Sequence, residues 1–540
     1  MAIALLSFPI ALLMSMLLVP ILMHFAPNLR LVDRPDGLRK MHMHIMPKSG
    51  GLAVGLAVLI SILYFFDQFT ALIPLLLGSL VILFSGLMDD IFDLNFKWKF
   101  FFQMIASFIF LFGTPEIYEK LYFSHSFFSG FATKIVLFTF LMGVSNAINL
   151  SDGLDGLAAG ITLLSLSIIA LFASEAELVA VLIMAMALMG ALMGFLRYNT
   201  HPAQVFMGDT GSQFIGFTTA ALAIYLSQNT ASAISPALPL LILGLPILDT
   251  LMVMAVRIHA GKSPFSADKN HLHHRLIKFG FRHSHAVLIL YCVQMLLMVA
   301  AYQLRYQHEL IILFFYLVFS TVFLTVLFFT KLENFNFKEK LITQHLNIIK
   351  ISWLSALTGV FNSSFKVMTF LYACIFMMLN LYCIKFGSVV DYLPLYLLIL
   401  CFTLMRVFKN NQLLTTRLVA YSSVILLIYN FSVINSSPII ENISNVSFIA
   451  LAAFFILSIR TMKNNLFRFN NHDVIILCVF FMGSLMSLPA SGDAKIEVML
   501  FRFALIIYVV EYLILNSKKS ALFIKLSSFY SLFLLSLLAR

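Results

Sequence analysis

The sequence predicts an all-α, polytopic transmembrane helix bundle. Of 540 residues, 61% are hydrophobic and only 11% charged, whereas a soluble domain is about half apolar and about a quarter charged. The apolar residues form continuous runs close to the roughly 20 residues a helix needs to cross a bilayer core. Strands of a membrane barrel would instead alternate apolar and polar residues over about ten positions, so these runs are read as helices.

In chain order the runs fall at about 3–25, 51–66, 71–88, 100–113, 133–149, 158–173, 178–196, 212–228, 236–257, 286–303 and 309–330. About seven more follow out to 538. The first lacks a basic leader and a small-residue cleavage site, so Met1 to about Ala26 is read as a retained helix. Up to about residue 330 the loops are rich in Asp, His and Gly, and beyond it they are mostly Lys, Asn and Ser. A catalytic half of about ten or eleven helices, residues 1–330, and a C-terminal helical region, residues 331–540, are therefore expected.

Crossing the runs in order collects alternate loops on one face, and those loops hold 27 of the 35 Lys and Arg. The positive-inside rule makes that face cytoplasmic. The excess of positive charge then reads as topology and contact with anionic membrane lipids, and no nucleic acid need be invoked. The five Cys show no CxxC or Cys/His ligand spacing, which argues against disulfide or zinc roles.

Five polar motifs lie on the same face, and their Asp, Asn, Gly and His residues did not enter that count. The first loop carries Lys40, His42 and Lys48 before Gly50-Gly51. It reads either as a grip on an anionic head group or as a loop that only sets topology. At the end of the third run, Met88-Asp89-Asp90-Ile91-Phe92-Asp93 gathers three carboxylates whose repulsion calls for a cation or a proton. A Mg²⁺ or general-base site is one reading, and a solvated helix end held by Lys97 and Lys99 is the other.

The third motif, Asn146-Ala147-Ile148-Asn149-Leu150-Ser151-Asp152-Gly153-Leu154-Asp155-Gly156-Leu157, offers oxygen ligands beside two glycines that permit close backbone approach. The fourth, Phe206-Met207-Gly208-Asp209-Thr210-Gly211-Ser212, opens a helix and reads as a phosphate or metal cradle, or as a plain cap. The fifth places His271, His273, His274 and Arg275 within five residues, suited to a pyrophosphate. A transporter would need ionisable groups near mid-membrane, and the catalytic half offers mainly Asp249, which is left either as structural or as part of the site.

Taken together, these motifs resemble those of the polyprenyl-phosphate N-acetylhexosamine-1-phosphate transferases, the family of the first enzymes of O-antigen, enterobacterial common antigen and wall teichoic acid assembly. The resemblance spans about residues 1–300. It implies transfer of a sugar 1-phosphate, GlcNAc-1-phosphate first among them, from a UDP-sugar to undecaprenyl phosphate with release of UMP. Position by position, it makes Asp209 the Mg²⁺ ligand, with Mn²⁺ as an alternative ion and Asn149 as a second oxygen ligand. Asp89 and Asp90 match the paired acids required for catalysis, with Asp93 completing their motif, and His271, His273 and His274 match the histidine motif. Asn149, Asp152, Asp155 and Phe206 fall on the nucleotide side, Asn146, Gly208 and Arg275 count as further substrate-binding residues, and Lys40, His42 and Lys48 match the N-terminal loop.

His271-Leu272-His273-His274-Arg275 is similar to the GlcNAc-type branch, whereas the phospho-MurNAc-pentapeptide enzyme usually has three consecutive histidines. A bacterial inner-membrane protein with a cytoplasmic active site is implied. For residues 331–540 the expected roles are lipid-facing or homodimer-forming helices, or docking of a glycosyltransferase or flippase.

Overall fold

A computed structural model of the chain describes residues 4, 6–33, 45–65, 70–114, 128–229, 232–263, 270–332 and 509. The expected division near residue 330 and the seven helices beyond it lie outside these residues. Among them the chain forms thirteen α-helices: α1 Ser7–Phe25, α2 Gly50–Leu63, α3 Ile73–Phe92, α4 Phe96–Gly113, α5 Phe128–Ser151, α6 Leu157–Glu175, α7 Val179–Asn199, α8 Gly208–Gln228, α9 Pro239–Ile242, α10 Gly244–His259, α11 Leu272–Lys278, α12 His283–Leu304 and α13 Glu309–Leu332. Eight of them are long and apolar enough to cross a membrane. The protein is an all-α, multi-pass membrane bundle, as its composition predicts.

Each of the eleven expected runs down to 330 is helical, but the ninth is broken. Pro246 has no N–H to give the carbonyl four residues back, and the helix is interrupted after Ile242. The freed Ile242 carbonyl instead accepts from Ser165 Oγ at 2.7 Å and Gln294 Nε2 at 2.8 Å, both buried. Pro20 inside α1 poses the same problem at Met16 O, and Tyr198 donates its hydroxyl there at 3.2 Å. With no water in the bilayer core, such breaks persist only where neighbouring helices supply a donor.

Helix α8 runs through the middle of the bundle, packed by α2, α3, α5 and α6 and buried along almost its whole length. Helices α6 and α7 are likewise buried, whereas little of Glu309–Leu327 in α13 is buried, which suits it to lipid. Close approach of α1 and α7 depends on Gly190 and Gly194, whose Cα atoms face the α1 backbone at Phe8 and Leu12. This is the small-xxx-small spacing by which membrane helices pack without a hydrophobic driving force between them.

Two elements were not expected. A short antiparallel pair, β1 Val32–Asp33 and β2 Met46–Pro47, closes the first loop at its base. The histidine motif forms the helix α11. The loops that follow α1, α3, α5, α7 and α10 meet at one end of the bundle, and that end carries every motif residue the structure describes except Asn146.

Candidate functional site

The centre of the site is the junction of α3 with the start of α8. Asp90, buried to 8% exposure, accepts from the backbone N–H groups of Asp209 at 3.1 Å and Thr210 at 2.8 Å, and from Thr210 Oγ1 at 2.6 Å. A carboxylate from another helix thus does the work of an N-cap, satisfying N–H groups that a helix start leaves unpaired. Gly208 adopts φ +68°, and a side chain there would collide with the Asp90 carboxylate. Both oxygens of Asp90 are therefore committed to placing Asp209.

Asp89, one residue earlier, is turned into a pocket. Its Oδ1 accepts from Leu94 N at 2.9 Å, and its Oδ2 contacts Lys99 Nζ. The same ammonium lies 2.7 Å from Asp209 Oδ2, so the two carboxylates converge on one cationic group. Asp93 ends α3 in the left-handed conformation, φ 50°, with its N–H bonded to Asp89 O. It stands exposed at the pocket rim.

The pocket, about 160 Å³, is lined by Lys48, Asp89, Asp90, Asp93, Leu94, Lys99 and Asp209. Four carboxylates against two ammonium groups leave a formal excess of two negative charges, and every donor facing it is a hard oxygen. This donor set fits Mg²⁺.

Three further motifs border this centre. Glycines 50 and 51 donate their N–H groups to the carbonyls of Phe206 and Met207, at 3.1 and 2.9 Å, and Pro47 O accepts from Phe206 N. The first loop is thereby fastened to the approach of α8. Lys48 stands 3.6 Å from Asp33 across the small sheet, while Lys40 and His42 lie outside the described residues. Asn149 Oδ1 is 2.8 Å from Ser212 Oγ, which puts the amide beside the first turn of α8. Asp152 lies in the following loop, where burial, and then the negative charges of Asp209, Asp90 and Asp155, push its carboxyl up to about 7.

Asn146 is the outlier. It points into the bundle, donating to Gln103 Oε1 at 3.0 Å and Met142 O at 2.9 Å. Gln103 extends the chain to Gln213 at 3.4 Å, so this asparagine joins a buried amide network linking α4, α5 and α8.

The histidine motif reaches the site through two contacts. Asp249 on α10 lies 3.1 Å from His271 Nδ1 and accepts from Leu272 N at 2.8 Å, which anchors the start of α11. The acid that a transport reading would need is thus occupied in holding the histidine loop. His273, 2% exposed, packs its ring directly on Gly153, where any side chain would overlap it. Burial, then the neighbouring His274, pushes the His273 imidazole down to about 3, so it is neutral at physiological pH. The His274 ring lies 4.2 Å from that of His273, and Arg275 Nε donates to Asn270 O at 3.0 Å.

A second cluster closes the nucleotide-side loop. Asp155 Oδ2 is 2.7 Å from His201 Nδ1 and accepts from Ala203 N at 3.2 Å, and the His201 and His283 rings stack at 4.2 Å. Asp155, His201 and His283 come close enough to share a metal. However, His283 Nε2 already accepts the Asp155 N–H at 3.1 Å, which engages the lone pair a metal would need. The cluster is a hydrogen-bonded clasp. Asn199 reinforces it, accepting from Gly156 N at 2.9 Å and donating to Val205 O at 2.8 Å.

Lys99, Asp249, His201 and His283 were not among the residues assigned to the site from sequence. Lys99 had a signal, since a lysine beside an acidic helix end was available as its counter-ion. Asp249 had one as well, as a lone acid in an apolar run.

Residues 72–227, which carry α3 through α8, match the model of glycosyl transferase family 4. The chain is 35% identical over 342 residues to the probable undecaprenyl-phosphate N-acetylglucosaminyl 1-phosphate transferase of Bacillus subtilis (strain 168), covering 62% of this chain and 93% of that protein. It is 34% identical over 290 residues to the decaprenyl-phosphate N-acetylglucosaminephosphotransferase of Mycobacterium leprae (strain TN), covering 47% and 72% of the two. With the undecaprenyl-phosphate alpha-N-acetylglucosaminyl 1-phosphate transferase of Escherichia coli (strain K12) it shares 29% identity over 297 residues, 52% of this chain and 79% of that one. The chain belongs to glycosyl transferase family 4, with polyprenyl-phosphate N-acetylglucosamine-1-phosphate transferases as its relatives.

Proposed function

We propose that the protein transfers a sugar 1-phosphate, N-acetylglucosamine 1-phosphate first among the candidates, from a UDP-sugar to undecaprenyl phosphate. UMP is released, and the reaction initiates synthesis of a cell-envelope polysaccharide at the cytoplasmic face of the bacterial inner membrane. The observation that carries this reading is the convergence of Asp89 and Asp209 on one cation in an acid-rich pocket at the end of the bundle. The names of the relatives support the lipid phosphate acceptor and the amino sugar. The loops' positive charge supports the cytoplasmic side.

In this reaction an oxygen of the lipid phosphate attacks the β-phosphorus of the UDP-sugar. The bond between that phosphorus and the bridging oxygen breaks, and the electron pair leaves with UMP. The bond from the sugar to its own phosphate oxygen is untouched, so the anomeric configuration is retained. Mg²⁺, with Mn²⁺ as an alternative, would be held by Asp209 and Asp89, and would supply the positive charge that two meeting anions require.

The chain's own groups do the rest. Asp90 fixes the first turn of α8 and thus the bearing of Asp209. Ser212 keeps Asn149 at that turn as a further oxygen donor. Asp249 and Gly153 hold the histidines against the nucleotide-side loop, where the Arg275 guanidinium adds positive charge near the pyrophosphate. A phosphate monoester with a second pKa of about 6 is already mostly dianionic at neutral pH, so Asp89 is needed more to bind the metal than to remove a proton. Asp209→Asn and Asp89→Asn should each abolish UMP release while the protein still inserts in the membrane. Full activity in both variants would overturn the assignment.

A further inference from the structure

One side chain in the pocket serves no part of the reaction as described so far. Lys99 rises from the first turns of α4, whose N-cap is Asn95. Its ammonium is shared by Asp89 Oδ2 and by Asp209 Oδ2, the latter at 2.7 Å. Asp89 Oδ1 is spent on Leu94 N, and Asp90 is spent on α8. Lys99 thus holds one oxygen of each acid that could ligate a cation, Oδ2 of Asp89 and Oδ2 of Asp209.

An ammonium and a divalent cation cannot both sit on that pair, because two positive centres within a few ångströms of each other repel strongly in a partly buried pocket. The Lys99 side chain is 28% exposed and carries four flexible methylenes, so it can withdraw toward the pocket mouth without moving the helix.

We propose that Lys99 and the divalent cation are alternative occupants of the Asp89–Asp209 carboxylate pair. Entry of the metal transfers the ammonium to a phosphate oxygen of a bound substrate. The inference rests on reading Asp89 and Asp209 as the metal's ligands. In the metal-free enzyme Lys99 offsets the repulsion between the two carboxylates, and that attraction weakens metal binding. Once a phosphate is present the displaced ammonium has an anion to pair with, so metal and phosphate each tighten the other's binding.

The test uses full-length enzyme in detergent, stripped with EDTA, with Mn²⁺ binding followed by electron paramagnetic resonance. Lys99→Met should bind Mn²⁺ at least tenfold more tightly than wild type, and Lys99→Gln should do the same, while Lys99→Arg stays within about threefold. A purely structural role for Lys99 would loosen the site and weaken binding. Adding UDP, or separately a short polyprenyl phosphate, should tighten Mn²⁺ binding in wild type but not in Lys99→Met. The additive that does so identifies the donor pyrophosphate or the lipid phosphate as the partner, and an effect from neither removes the transfer of the ammonium.

Equal or weaker Mn²⁺ affinity in both Lys99→Met and Lys99→Gln would overturn the proposal. Adding Asp209→Asn to Lys99→Met separates the two ways of failing. Mn²⁺ binding that survives in the double variant refutes the ligand assignment itself. Binding that is lost there, but equal in wild type and Lys99→Met, refutes the exchange alone.

Discussion

Replacing Asp90 by Ala tests whether this acid works through the helix it caps. The substitution removes the acceptor of two backbone N–H groups and one hydroxyl at the start of α8. Loss of a cap alone costs about 1 kcal/mol, and hydrogen bonds to a charged acceptor are worth about 1.5–3 kcal/mol each. Removing a buried carboxylate returns part of that sum, so a net loss of roughly 3 kcal/mol is expected, lowering Tm by roughly 3 °C in a chain of this size.

Thermal unfolding of the EDTA-treated enzyme in detergent measures the loss, and Mn²⁺ binding measures the displacement of Asp209. Both should fall together with turnover. Thr210→Val, which deletes only the hydroxyl contact, should cost about 1.5–3 kcal/mol and leave most of the activity. An Asp90→Ala enzyme with wild-type Tm and wild-type Mn²⁺ affinity but no turnover would refute the capping account and give Asp90 a direct chemical task.

Three other outcomes follow from the same contacts. Asp249→Ala frees His271 and the start of α11; it should cut kcat/KM for the nucleotide sugar by about tenfold or more, on the order of one buried charged hydrogen bond, with the metal affinity unchanged in the Mn²⁺ assay. Gly153→Ala forces the His273 ring away from the nucleotide-side loop, and should raise KM for the UDP-sugar while leaving that for the lipid phosphate unchanged in steady-state kinetics. Asp152 has a folded-state pKa of about 7, above the unfolded value, so the folded protein binds the extra proton between the two values. Stability should therefore fall as pH rises from about 4 to about 7 and level off above, and Asp152→Asn should remove that slope from the Tm-against-pH curve.

Much of this architecture was legible in the sequence because a bilayer allows few alternatives. An apolar run of sufficient length must be a helix, and crossing runs in order puts alternate loops together. That reasoning carried the first loop and the four later motifs to one end, where the structure brings Gly50 against Phe206, Asp90 against Thr210 and Gly153 against His273.

What escaped were the long-range partnerships. Nothing local to Asp89-Asp90 reveals that one acid faces the pocket and the other caps a helix over a hundred residues away. Asn146 and Asn149 look equivalent in the motif, yet one helical turn separates an amide at the site from one buried against Gln103. The break at Ile242 was visible in principle from Pro246, but its repair by Ser165 and Gln294 depends on helices distant in sequence. The histidine loop's link to Asp249 likewise spans two elements.

The central claim is that this site moves a phosphoryl-linked sugar between two anions. Purified enzyme should therefore be incubated with polyprenyl phosphate, UDP-N-acetylglucosamine and Mg²⁺, followed by mass analysis of the lipid and nucleotide products. The account predicts a polyprenyl diphosphate sugar formed in equal amount with UMP, and neither product once Mg²⁺ is chelated. Release of UDP with a sugar carried on a single lipid phosphate would show cleavage at the sugar carbon instead of at phosphorus, and would contradict it.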